Sequence, residues 1–160
     1  MATRMRHSAR QETRNEARSE MRSSAPALTH PPILIVDDDQ DIRETLRMAL
    51  EDEGYEVREA EDGARALSLL RQSAQSLVVL LDLRLPRMSG DALLRRVNRK
   101  EHMPAQHTFL LVTANREQLS PVNLRLLQRM DVAVVAKPFD LDDLLHRVAH
   151  AADTIESATL

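Results

Sequence analysis

The sequence predicts an α/β domain in which one doubly wound sheet of five parallel strands is flanked by five helices. Three observations predict it. Apolar runs recur at Ile33-Leu34-Ile35-Val36, Leu77-Val78-Val79-Leu80-Leu81, Phe109-Leu110-Leu111-Val112 and Val132-Ala133-Val134-Val135-Ala136. Runs of that length read as strands buried on both faces of a parallel sheet. Segments with apolar residues at helical spacing stand between them, so strand and helix alternate strictly from residue 33 onward. A fifth strand, second in sequence, alternates polar and apolar residues as an edge strand would. With right-handed crossovers, that placing suits the strand order 2-1-3-4-5.

Each element has its own signal. The first strand runs into Asp37 and Asp38, and Ile42, Leu46, Ala49 and Leu50 then form an apolar stripe. Asp39 or Asp41 is available as the N-cap of that helix, and Gly54 stops it. Tyr55-Glu56-Val57-Arg58-Glu59 is the edge-like strand, after which Asp62 caps a second helix carrying Leu67 and Leu70. The third strand ends at Asp82, and Ser89 caps a third helix with Leu93, Leu94 and Val97 on one face. The fourth strand ends at Thr113, and a weaker helix bearing Leu124, Leu126 and Leu127 follows Pro121. The fifth strand ends at Lys137-Pro138. Asp140 then caps a helix with Leu141, Leu144, Leu145 and Val148 at i, i+3, i+4 and i+7.

A chain of 160 residues has room for one such domain and a short extension. The net charge of -3 and pI near 6.1 give no general case for nucleic-acid binding. Cysteine is absent, which excludes disulfides and thiol chemistry and is compatible with the cytoplasm, the expected location. No apolar run approaches the roughly 20 residues of a membrane span, and the N-terminus lacks the apolar stretch of a secretory signal. Residues 1–32 are set apart: six arginines against three glutamates make this segment +3 and leave -6 for the remainder. The arginines from Arg6 to Arg22 recur every four residues, but no apolar face would hold such a helix to the domain. The segment is expected to be a solvated, disordered tail, with a partner-binding helix as the alternative.

The four polar landmarks that follow apolar runs matter most. Parallel sheets bind ligands outside the carboxyl ends of their strands, so Asp37, Asp38, Asp82, Thr113 and Lys137 converge on one edge of one sheet. Three carboxylates, a hydroxyl and an amine gathered there suggest a divalent metal and a phosphoryl group.

At these residues the chain resembles a known family. The stretches ILIVDDDQDIRETL, GYEVREAEDGARAL, LLDLRLPRMSG, LLVTAN and VVAKPFD are similar, in order, to motifs of the receiver domain of two-component response regulators. The resemblance covers residues 33–153, about three quarters of the chain, leaving 154–160 as a short C-terminal tail. It implies a flavodoxin-like sheet and a phosphoaccepting role. Asp82 would be the phosphoacceptor, a carboxylate nucleophile that forms an acyl phosphate. Asp37, Asp38 and Asp82 would hold Mg2+ together with the backbone carbonyl of Arg84. Lys137 would pair with a phosphoryl oxygen, aimed by a cis peptide before Pro138, and Thr113 would donate its hydroxyl to the same group. The implied donor is a phosphohistidine on a sensor histidine kinase or a histidine phosphotransfer protein. The product would be a two-state switch that binds a downstream protein target, relays the phosphoryl group onward, or dimerises on phosphorylation.

The chain departs from the family at several points. Val134 stands where an aromatic residue often follows the threonine's motion, and Arg129-Met130-Asp131 replaces a small Gly-Ala pair. Arg84 and Asn115 would flank the incoming phosphoryl group, and Arg84 is expected to slow attack by water.

Two imitations are set aside. Asp37, Asp39 and Asp41 resemble the start of a calcium loop, but Ile42 and Met48 stand where that loop needs Gly and Glu. His146 and His150 lie one helical turn apart but are expected on the exposed side of the last helix. If complete, the chain is expected to be a stand-alone receiver without an output domain, and not a dedicated enzyme. The alternative is a phosphorylation-independent interaction module of the same fold. An aspartyl-phosphate phosphatase is disfavoured, because Arg84 stands where its second Asp would act as general acid.

Overall fold

The computed structural model describes residues 30–114 and 116–159. Residues 1–29 of the expected tail, and Asn115, lie outside the described residues. The last residues before the first strand are part of the domain. Pro31 and Pro32 are buried, and the Pro32 carbonyl accepts a hydrogen bond from the Val78 amide at 3.1 Å.

Strand β1 (Ile33–Val36) leads to helix α1 (Gln40–Asp52), β2 (Val57–Ala60) to α2 (Gly63–Gln72), and β3 (Val78–Leu81) to α3 (Gly90–Asn98). Strand β4 (Thr108–Thr113) is followed by a short 3-10 helix (Arg116–Gln118) and α4 (Pro121–Arg129), and β5 (Ala133–Ala136) by α5 (Leu141–Thr159). All pairings are parallel, and the strand order is β2-β1-β3-β4-β5. The fold class and the order are those read from the sequence.

Caps define most helix starts. Asp39 accepts from the amides of Asp41 and Ile42, Asp62 from Arg65, Ser89 from Ala92, Ser120 from Asn123, and Asp140 from Asp143. Of the two candidates for α1, Asp39 is the cap, and Asp41 adds negative charge to the first turn. Helix α5 runs through Thr159, beyond the 153 expected. Ile155 packs against the core there, and Glu156 pairs with His30 Nδ1 at 3.1 Å.

The central strands place alternate residues on opposite faces, and each face has its own apolar layer. Leu34 and Val36 join Leu67, Leu70, Leu93, Leu94 and Leu127 beneath α2, α3 and α4. Ile33 and Ile35 join Leu46, Leu50, Leu144 and Val148 beneath α1 and α5. This two-sided burial explains why β1 and β3 are apolar at every position. One expectation is corrected: β5 reads as fully buried, yet only Val135 of its four residues is, because the strand lies at the sheet edge.

Candidate functional site

The site stands at the carboxyl edge of β1, β3, β4 and β5. Asp37 directly follows β1 and is 4% exposed, whereas the neighbouring Asp38 is exposed. The Asp82 amide donates to the Val36 carbonyl at 2.9 Å, continuing the β1–β3 ladder by one residue and bringing the Asp82 carboxylate beside Asp37. Lys137 Nζ donates to Asp37 Oδ2 at 2.7 Å and to Asp82 Oδ2 at 3.1 Å, joining residues far apart in sequence. Burial disfavours the charged lysine, but the hydrogen bonds and charges of Asp37 and Asp82 outweigh it and hold its ammonium above the usual lysine range.

The remaining oxygens of the two aspartates are also engaged. Asp37 Oδ1 accepts from the Asp39 amide at 2.9 Å, and Asp82 Oδ1 from the Arg84 amide at 3.2 Å. The peptide between Lys137 and Pro138 is cis, and the Lys137 amide donates to the Thr113 carbonyl at 2.8 Å. Thr113, 3% exposed, therefore ends β4 immediately beside the strand that delivers the lysine. Because Asp39 caps α1, Asp37 and Asp38 are left to the cluster.

Carboxylate oxygens of Asp37, Asp38 and Asp82 lie within 4.8 Å of one another. A set of oxygen donors from two adjacent strands suits a hard divalent cation such as Mg2+. Among the described residues, His146 and His150 belong to no such cluster. Both are exposed on α5, and His146 Nδ1 is bonded to the Asp142 carbonyl at 2.8 Å. The exposed face expected for them is the one observed.

Other residues shape the site without a motif to announce them. Arg43 Nη1 donates to the Asp37 carbonyl at 2.7 Å and Nε faces Glu59 at 3.3 Å, bracing the end of β1 against α1 and β2. At Gly90 a Cβ would collide with the Asp82 carbonyl, so the start of α3 can press against the Asp82 backbone only with glycine there. Arg87 has φ 64° and donates from Nε to the buried Asp62 at 2.7 Å. A Gly eight residues past Asp82 is a visible signal for close backbone approach. One arginine among many offers none.

Among the described residues, no helix is long and apolar enough to cross a membrane. Residues 33–149 match the response regulator receiver domain family. Over 118 residues the chain is 35% identical to the CAI-1 autoinducer sensor kinase/phosphatase CqsS of Vibrio cholerae, a match spanning 73% of this chain and 17% of that protein. It is 36% identical over 117 residues to the response regulator MprA of Mycobacterium sp., spanning 72% of this chain and 48% of MprA. The chain thus spans about half or less of these curated relatives. Among solved structures, a CheY-like response regulator receiver domain protein from Methanospirillum hungatei superposes with a TM-score of 0.69. It is 25% identical, and the match covers 79% of this chain and 98% of that one. Sheet order, acidic cluster and family match agree, and the chain belongs to the response regulator receiver domains.

Proposed function

We propose that this chain is the phosphoaccepting unit of a two-component phosphorelay, with Asp82 taking a phosphoryl group from a phosphohistidine on a sensor histidine kinase or phosphotransfer protein. The observation that carries the reading is the Lys137 ammonium seated between Asp37 and Asp82 beside the exposed carboxylate of Asp38. A carboxylate held at a strand end can attack phosphorus in line. The new bond forms between an Asp82 oxygen and phosphorus as the phosphorus–nitrogen bond breaks and imidazole leaves.

Little covalent machinery is needed beyond positioning and neutralisation of the phosphoryl oxygens. Lys137, already bonded to Asp82, would exchange that carboxylate for a phosphoryl oxygen. Asp37, Asp38, Asp82 and the Arg84 carbonyl would hold Mg2+. When bound, the ion supplies positive charge that relieves repulsion among the carboxylates and against the incoming group. Thr113 would donate its hydroxyl to the phosphorylated acceptor, and the new charge would bias the surface around α4 toward a partner. Val134, half-buried on β5, leaves that response without an aromatic rotamer to follow it.

The test is incubation with Mg2+ and acetyl phosphate, followed by intact mass. One added phosphoryl group is expected, and none for Asp82→Asn or in the absence of Mg2+. If neither acetyl phosphate nor a phosphorylated histidine kinase loads the wild type, the interaction-module reading takes its place. Arg84 is exposed beside the acceptor, and Arg84→Ala is expected to shorten the life of the acyl phosphate.

A further inference from the structure

We propose that Arg87 is a positioning residue for the loop that carries the acceptor, acting through its ion pair with Asp62. The inference rests on the site reading above and concerns residues outside the carboxylate cluster.

Arg87 lies in the connection from β3 to α3 with φ 64°, a backbone region that disfavours residues with a Cβ and where glycine is at ease. Its side chain gives the arginine a specific use there. Nε donates to Asp62 Oδ2 at 2.7 Å, and Asp62 is 3% exposed. The other carboxylate oxygen of Asp62 accepts from the Arg65 amide at 2.7 Å and caps α2. One buried carboxylate therefore serves the start of a helix and the acceptor loop together. The Arg65 amide and Arg87 hold its carboxyl below the usual range against the opposing effect of burial.

The contact continues at the next residue. The Gly63 amide donates to the Met88 carbonyl at 3.2 Å, and a Cβ on Gly63 would collide with that carbonyl. Farther along, the Gly90 amide donates to the Leu83 carbonyl at 2.9 Å. The loop is thus fastened to α2 at Arg87 and Met88 and closed on itself at Leu83. Arg84, whose amide holds Asp82 Oδ1, lies within the stretch so constrained. Loosening the Arg87–Asp62 fastening frees that stretch, and the donor set for a cation loses its preorganisation.

The experiment measures Mg2+ affinity by isothermal titration calorimetry on the full chain, with metal-free thermal melts in parallel. Arg87→Gly, Arg87→Lys, Asp62→Asn and the Gly/Asn double variant are compared with wild type. Asp62→Asn keeps an oxygen for the Arg65 amide, so the helix cap survives. Arg87→Gly and Asp62→Asn are each expected to weaken Mg2+ binding by about tenfold. The double variant is expected to be no weaker than either single, and Arg87→Lys to retain part of the affinity. The metal-free melt of Arg87→Gly should hold or rise, because glycine relieves the backbone. Unchanged Mg2+ affinity in the single variants, or losses that add in the double, would overturn the inference while leaving the site reading intact. A wild type that binds no Mg2+ would overturn the site reading and this inference with it.

Discussion

Lys137 is one of two lysines in an arginine-rich chain, and the structure seats it against two carboxylates from different strands. Removing it leaves Asp37 and Asp82 facing each other without a cation. Lys137→Ala is expected to slow phosphoryl uptake from acetyl phosphate by about 100-fold, read by intact mass at fixed Mg2+. Because the folded protein raises the lysine above its ordinary 10.5, its charge persists to higher pH than that of a free lysine. Uptake measured from about pH 7 to 9 should therefore show no lysine limb. His107 behaves in the opposite sense. Its Nδ1 accepts from the Leu77 amide at 3.1 Å, and Nε2 is buried. Burial pushes its pKa below 6.5, and the nearby Leu70 carbonyl only moderates the shift. The unfolded chain then takes up a proton that the folded one resists, so stability falls as pH drops below about 6.5. His107→Asn keeps an acceptor near the Leu77 amide, and its urea midpoint should fall less than that of wild type between about pH 7 and 5. At this scale the strand-end residues were legible, because an apolar run reveals where its strand must end. Arg43, Arg87 and His107 were not. Their positions depend on loop backbone angles and on neighbours distant in sequence.

Helix boundaries and strand identities were legible wherever a cap or an apolar run marked them, as at Asp62, Ser89 and Asp140. They blurred where a turn carries apolar residues. Tyr55 reads as strand but precedes β2, which opens at Val57. The covering of β5 was misread because a continuous apolar run does not reveal whether a second strand lies on its far side. One tight junction is that of α3 with the end of β3. Gly90→Ala forces a methyl group against the Asp82 carbonyl, so the helix or the strand end must move. The expected cost is about 1–3 kcal/mol, seen as a lower denaturant midpoint, with phosphoryl uptake slowed as well.

For the whole molecule, alternation and one edge-like strand were enough to give the sheet order, since right-handed crossovers leave few alternatives. The end of α5 was less legible, because its last two turns carry few apolar residues beyond Ile155. Those turns nonetheless contribute. Truncation after Asp153 removes Ile155 from the core and Glu156 from His30. It is expected to destabilise the domain by about 1–2 kcal/mol. Truncation after His150 also removes the buried Ala151 and Ala152 and should cost more. Thermal or urea melts of the two truncations order them.

The sheet that gathers the site also partitions the interior. Leu67 lies in the layer beneath α2, and Leu50 and Leu144 lie in the layer beneath α1 and α5. Lesions on opposite sides share no cavity, so Leu67→Ala and Leu144→Ala should combine additively to within about 0.5 kcal/mol. Leu50→Ala with Leu144→Ala, on one side, should show a measurable coupling energy. The protein would then tolerate variation on one face of its sheet with little regard to what has changed on the other, and the two halves of its core could drift independently over evolutionary time.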